Sequence, residues 1–154
     1  MVLQLWGFGG KMPTFAFMSP TDPLVRADVH EDARGRLFVV PTGAMPFIPR
    51  RVFWIRDVPA GTERGGHAHV SCAEVVFAVS GSVEICVDDG RGLRRTFVLD
   101  RPDAGLFIGP EVWCELRHFH PGTVCLVLAS EAYQPEGYIN DYDEFLSRAS
   151  GGRH

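Results

Sequence analysis

The sequence predicts an all-β fold, a single jelly-roll barrel with a short C-terminal helix. Turn signals recur about every 8–12 residues, the spacing of a sandwich or barrel. Between them, apolar and polar residues alternate at the two-residue period of a strand. Composition agrees: 17 Gly and 11 Pro in 154 residues exceed the roughly 12 % of average usage and do not suit a helical bundle.

Residues 1–26, where Trp6, Phe8, Phe15 and Phe17 mix with Gly and Pro, read as an N-terminal arm. The predicted domain spans 27–148, and 149–154 form a tail. Strand character begins near Val25. Arg34-Gly35 sits between VHEDA and RLFVV as a hairpin turn. Phe47–Arg56 is the next predicted strand, with Pro46 and Pro49 limiting its start. Asp57–Gly66 is a loop, and His67–His69 leads into Glu74–Val79. Gly81 turns the chain into Ser82–Val87, and Asp88-Asp89-Gly90-Arg91-Gly92 is a hairpin turn, since Asp-Gly readily takes positive φ. Leu93–Leu99, Gly105–Ile108, Val112–Phe119 and Thr123–Ala129 complete the strands. Only Ile139–Arg148 reads helical: Ile139, Tyr142, Phe145 and Leu146 share one face at helical spacing.

With 45 % apolar residues the chain has material for a core and needs no metal or disulfide to fold at this length. Fifteen basic against 19 acidic residues give a net charge of −4, which argues against a nucleic-acid partner. No apolar run approaches the roughly 18 residues of a membrane span, and no signal peptide is read at the N-terminus. Cys72, Cys86, Cys114 and Cys125 have no metal-knuckle spacing and read as buried, reduced thiols of a cytoplasmic protein.

One stretch carries chemistry. His67 and His69, two apart on a strand, project to the same side, and Glu74 follows on the extension of that chain. A small barrel can aim all three into its mouth, and such groups are costly to bury without a task. The spacing G-x5-H-x-H-x4-E-x6-G, from Gly61 to Gly81, resembles the first motif of the cupin superfamily at every fixed position. Where the second cupin motif ends in a metal-binding His, this chain has Glu115. His67, His69, Glu74 and Glu115 could together bind a divalent metal; equally, the histidines could do acid–base work without one.

Further segments, in order, are Asp32-x-Arg34-Gly35-x-Leu37, Arg64-Gly65-Gly66-His67-Ala68-His69, Ser80-Gly81-Ser82-Val83, Gly109-Pro110-x2-Trp113 and Tyr138-Ile139-x2-Tyr142-x2-Phe145. With them the chain resembles the WxcM-like (FdtA- or QdtA-like) sugar 3,4-ketoisomerases over about residues 27–148. The resemblance implies conversion of a dTDP-4-oxo-6-deoxyhexose to its 3-oxo isomer, with no metal or other cofactor, in a jelly-roll homodimer. It implies His67 and His69 as the acid–base pair, Arg51 and Arg64 near the nucleotide-sugar, and Trp113 and Glu115 lining the pocket. Phe53-Trp54 stand where family members often carry tyrosines.

The chemistry suits those residue types. Moving a carbonyl from C4 to C3 removes the C3 proton and delivers one to C4, through an enediol. Imidazole can do either step near neutral pH. A diphosphate suits the forked donors of arginine. His30, His118 and His120 read as surface or rim residues, and Asp141, Asp143 and Glu144 as a solvated helix face. Two other readings fit the same residues: a metal-dependent cupin dioxygenase or epimerase, and a non-catalytic sugar-nucleotide-binding module.

Overall fold

The computed structural model describes residues 22–151, so most of the predicted arm and the last three residues lie outside it. Its strands are β1 (Leu24–Arg26), β2 (Asp28–Asp32), β3 (Gly35–Val39), β4 (Arg51–Arg56), β5 (Arg64–His69), β6 (Glu74–Ser80), β7 (Val83–Asp88), β8 (Arg94–Leu99), β9 (Ala104–Ile108), β10 (Trp113–Arg117), β11 (Val124–Ala129) and β12 (Tyr138–Ile139). The helix α1 covers Tyr142–Gly151.

Two five-stranded antiparallel sheets, ordered β1-β9-β6-β11-β4 and β12-β5-β10-β7-β8, form the predicted jelly roll, and β2-β3 stand apart as a hairpin. Alternation explains what lies between the sheets. On β11, Cys125, Val127 and Ala129 face inward and are buried, whereas Val124, Leu126 and Leu128 are only partly covered. Val76, Ala78, Ile85, Val87, Leu106 and Leu116 join Cys125 and Val127 in the core. A second apolar layer covers the other face of β6, where Val75 and Phe77 meet Met45, Phe47 and Phe107.

That second layer explains one departure from the sequence reading. Phe47–Pro49 do not extend β4; its strand starts at Arg51. The two prolines cannot donate to a ladder, and Phe47 packs on Phe107 with ring centroids 6.4 Å apart. The C-terminal helix also starts later than predicted, at Tyr142. Asp141 accepts a hydrogen bond from the Glu144 backbone N–H at 2.8 Å, an N-cap. Ile139 instead lies in β12, paired with Ala68 of β5. The folded unit runs past 27–148 at both ends: β1 pairs with β9, and α1 continues to Gly151.

Candidate active site

His67 and His69 reach the interior through β5, and the glycines before them set their aim. Gly65 and Gly66 both have positive φ, 79° and 73°. Gly65 pairs with Glu115 and His67 with Cys114, leaving Gly66 as the extra residue of a bulge. A Cβ on Gly65 would stand 2.6 Å from the Cys114 carbonyl oxygen. The bulge faces His67 and His69 inward while Ala68 points out, fully buried among Trp113, Ile139 and Phe145.

The two imidazoles meet edge to face at 5.0 Å. Tyr138, paired with His69 through β12, closes the cluster with ring centroids 4.5 Å from His69 and 5.0 Å from His67. Glu74 enters from β6, in the opposite sheet, and its Oε1 lies 3.3 Å from His69 Nε2. Arg51, on β4, places Nη2 3.3 Å from that same oxygen. Both Arg51 and Glu74 pair with Ala129 of β11, one from each side, and its small side chain leaves them room to meet. Arg51, His69, Cys72 and Tyr138 line a small hollow against Glu131 and Gln134.

Burial and the neighbouring His69 push the His67 imidazole pKa down, against the opposing effect of Glu74. His67 therefore keeps its neutral, proton-accepting form to lower pH than an ordinary imidazole. Burial pushes the Tyr138 phenol up.

The structure brings His67, His69 and Arg51 together. Arg64, exposed at the head of β5, stands three residues before His67. Trp113 and Glu115 are elsewhere, which corrects their placement with the histidines in one pocket. On β10 it is Cys114 and Leu116 that face the core; Trp113 packs on Tyr142 and Phe145, beneath α1. Trp113 Nε1 donates to Glu115 Oε1 at 2.9 Å, and Arg94 Nη2 donates to Glu115 Oε2 at 2.9 Å. Tyr142 donates to Asp88 at 2.8 Å in the same outer cluster.

The metal set considered from the sequence does not fit this arrangement. Glu115 is on the outer face, and Arg51 occupies Glu74. Among the described residues no three His, Cys, Asp or Glu side chains are grouped to hold a metal ion. His30, His118 and His120 are exposed, as are Asp141, Asp143 and Glu144. Sequence reasoning gave Tyr138 no role. Its signal was a short apolar pair between turn residues, a pattern too brief to place it beside His69.

Comparison with known proteins gives the family and the fold's relatives. Residues 22–150 match the family described as FdtA: WxcM-like, C-terminal. The TDP-4-oxo-6-deoxy-alpha-D-glucose-3,4-oxoisomerase of Aneurinibacillus thermoaerophilus is 37 % identical over 115 residues, 74 % of this chain and 82 % of the relative. The crystal structure of a 3,4-ketoisomerase from Helicobacter canadensis superposes with a TM-score of 0.78 at 39 % identity, covering 82 % of this chain and 96 % of that one. A mutant of the 3,4-ketoisomerase QdtA from Thermoanaerobacterium thermosaccharolyticum, in complex with TDP-4-keto-6-deoxyglucose, gives 0.80 at 33 % identity, covering 84 % and 94 %.

Proposed function

The chain belongs to the FdtA family of WxcM-like proteins, and from that premise we propose that it is a 3,4-ketoisomerase of a TDP-linked 4-oxo-6-deoxyhexose. The observation that carries the reading is the pair of imidazoles at 5.0 Å on the inner face of β5, in a chain whose relatives bear that activity in their names.

In the proposed reaction one histidine takes the C3 proton as a neutral base, the electrons collapse into a C3–C4 enediolate, and its C4 oxygen takes up a proton from solvent to give the enediol. The other histidine protonates C4, and the hydroxyl proton at C3 is released as the new carbonyl forms. Burial, which keeps His67 neutral, suits it to the first step. Arg64 is the arginine left open to the diphosphate, and removing such a charge-assisted contact weakens dTDP binding roughly 10- to 150-fold. Calorimetry on Arg64→Ala reads this, and unchanged affinity removes Arg64 from that role. The reaction itself is tested by NMR of purified protein with dTDP-4-oxo-6-deoxyglucose in deuterated water. A 3-oxo product carrying deuterium is expected; no product and no exchange ends the reading.

A homodimer accompanies this proposal. Among the described residues β4 is an edge strand of its sheet with no neighbour on its outer side, and Val52 and Trp54 on its outward face are 53 % and 64 % exposed. Hairpin β2-β3 exposes Val29, Leu37 and Val39. Unpaired edges with apolar surface favour pairing between chains. Sedimentation at twice the chain mass of 17.0 kDa is expected, and a monomer at micromolar concentration refutes it. No described helix is long and apolar enough to cross a membrane, and the four free cysteines are all buried, which supports the reducing cytoplasm as its compartment.

A further inference from the structure

Arg51 was expected beside the nucleotide-sugar, but its guanidinium is already engaged. Arg51 Nη2 and His69 Nε2 both approach one oxygen, Oε1 of Glu74, at 3.3 Å. The side chains are 17 %, 7 % and 12 % exposed for Arg51, His69 and Glu74. They come from three strands, β4, β5 and β6, and from both sheets. Arg51 also lies over the rings of Phe53 and Tyr133, at 5.1 Å and 5.7 Å, which hold its plane toward Glu74.

Building on the ketoisomerase reading, we propose that Glu74 is a positioning residue whose Oε1 fixes the His69 imidazole, and that Arg51 serves catalysis through Glu74 and not by holding the diphosphate. The Arg51 guanidinium balances the carboxylate charge, so what Glu74 offers His69 is an oriented acceptor. A partner at one imidazole nitrogen sets which nitrogen meets the reactant. With Nε2 turned to Glu74, Nδ1 is the nitrogen left for the sugar. His69 Nε2 and Arg51 Nε are buried with no aligned hydrogen bond. Contacts of this kind tighten when the substrate complex forms.

The test separates turnover from binding. Glu74→Leu keeps the bulk of the side chain and removes the acceptor. It is expected to lower kcat at least about 10- to 100-fold, the range known for carboxylates that orient metal-ligating histidines, while KM and dTDP affinity stay near wild type. Glu74→Gln keeps an acceptor oxygen at Oε1 and is expected to recover most of kcat. Arg51→Met in the wild-type chain should lower kcat and spare dTDP affinity, and in the Glu74→Leu background it should add little. Three results overturn the proposal: full kcat in Glu74→Leu, a Glu74→Gln as impaired as Glu74→Leu, or an Arg51→Met that loses dTDP affinity with kcat intact. Should Glu74→Leu not fold, the Arg51→Met arm decides, since it reads kcat against affinity on its own. If wild-type protein does not isomerise the sugar, it is the ketoisomerase reading that fails.

Discussion

Replacing either His67 or His69 with Asn lowers isomerisation at least about 10²-fold, the low end of a general acid–base contribution. Asn keeps part of the hydrogen bonding and removes the titrating group, so dTDP affinity survives better than turnover. The two variants also part company in deuterium wash-in. Loss of the C3 base stops exchange and turnover together. Loss of the C4 acid can leave C3 exchange running without product. With His67 as the proposed base, His67→Asn is expected to stop both and His69→Asn to retain exchange. The pH profile carries the same sign. A base must be neutral, so kcat/KM holds above the His67 pKa and falls as pH drops through it, at a pH below the ordinary imidazole value of about 6.5. Full activity in both variants refutes the acid–base roles, and an acid limb above that ordinary value refutes His67 as the buried base.

Much of this site was legible because a strand has a fixed period. Two histidines at i and i+2 must share a face, but the glycines ahead of them read as loop, whereas Gly65 and Gly66 belong to β5 and form the bulge that decides which face. Glu74 was legible as a companion but not in its geometry. It sits in the opposite sheet, and its closeness to His69 depends on how two sheets stack. Arg51 was read as a substrate contact; no pattern within β4 shows that Ala129 of β11 leaves it a route to Glu74. Trp113 and Glu115 were misplaced for a similar reason. Periodicity states that Cys114 opposes its neighbours, not which face turns inward, and the bulge between Cys114 and Glu115 disturbs the register there.

The fold was legible where turn chemistry punctuated the chain. Arg34-Gly35, Gly81 and Asp89-Gly90 mark reversals, and the strands between follow. It was less legible where tertiary packing outweighed local preference. Phe47 has strand propensity, yet its flanking prolines and the apolar face of β6 make it a cover for the sheet. Ile139 has the right spacing for helix α1, yet pairing with Ala68 gives its backbone a ladder and its side chain a buried seat, 2 % exposed.

That seat leads to the second large effect, Phe145→Ala. Phe145 is 1 % exposed and packs against Trp113, Tyr142, Ile139 and Ala68 on the outer face of β5. Truncating a buried Phe costs about 3–5 kcal/mol through lost burial and the cavity left behind. Collapse is unfavourable here, because Trp113 is tied by Glu115 and Tyr142 by Asp88. At about 2–4 °C per kcal/mol for a chain of this size, Tm is expected to fall on the order of 10 °C. The loss also reaches the site. Phe145 anchors α1 over Ile139, and Ile139 holds its neighbour Tyr138 beside His69. Turnover in the folded fraction should therefore drop along with stability, and hydrogen exchange at the β12 amides should quicken. A loss under about 1 kcal/mol by denaturant unfolding, within the range of an ordinary surface change, would show that α1 is an appendage and not part of the structure that holds the site.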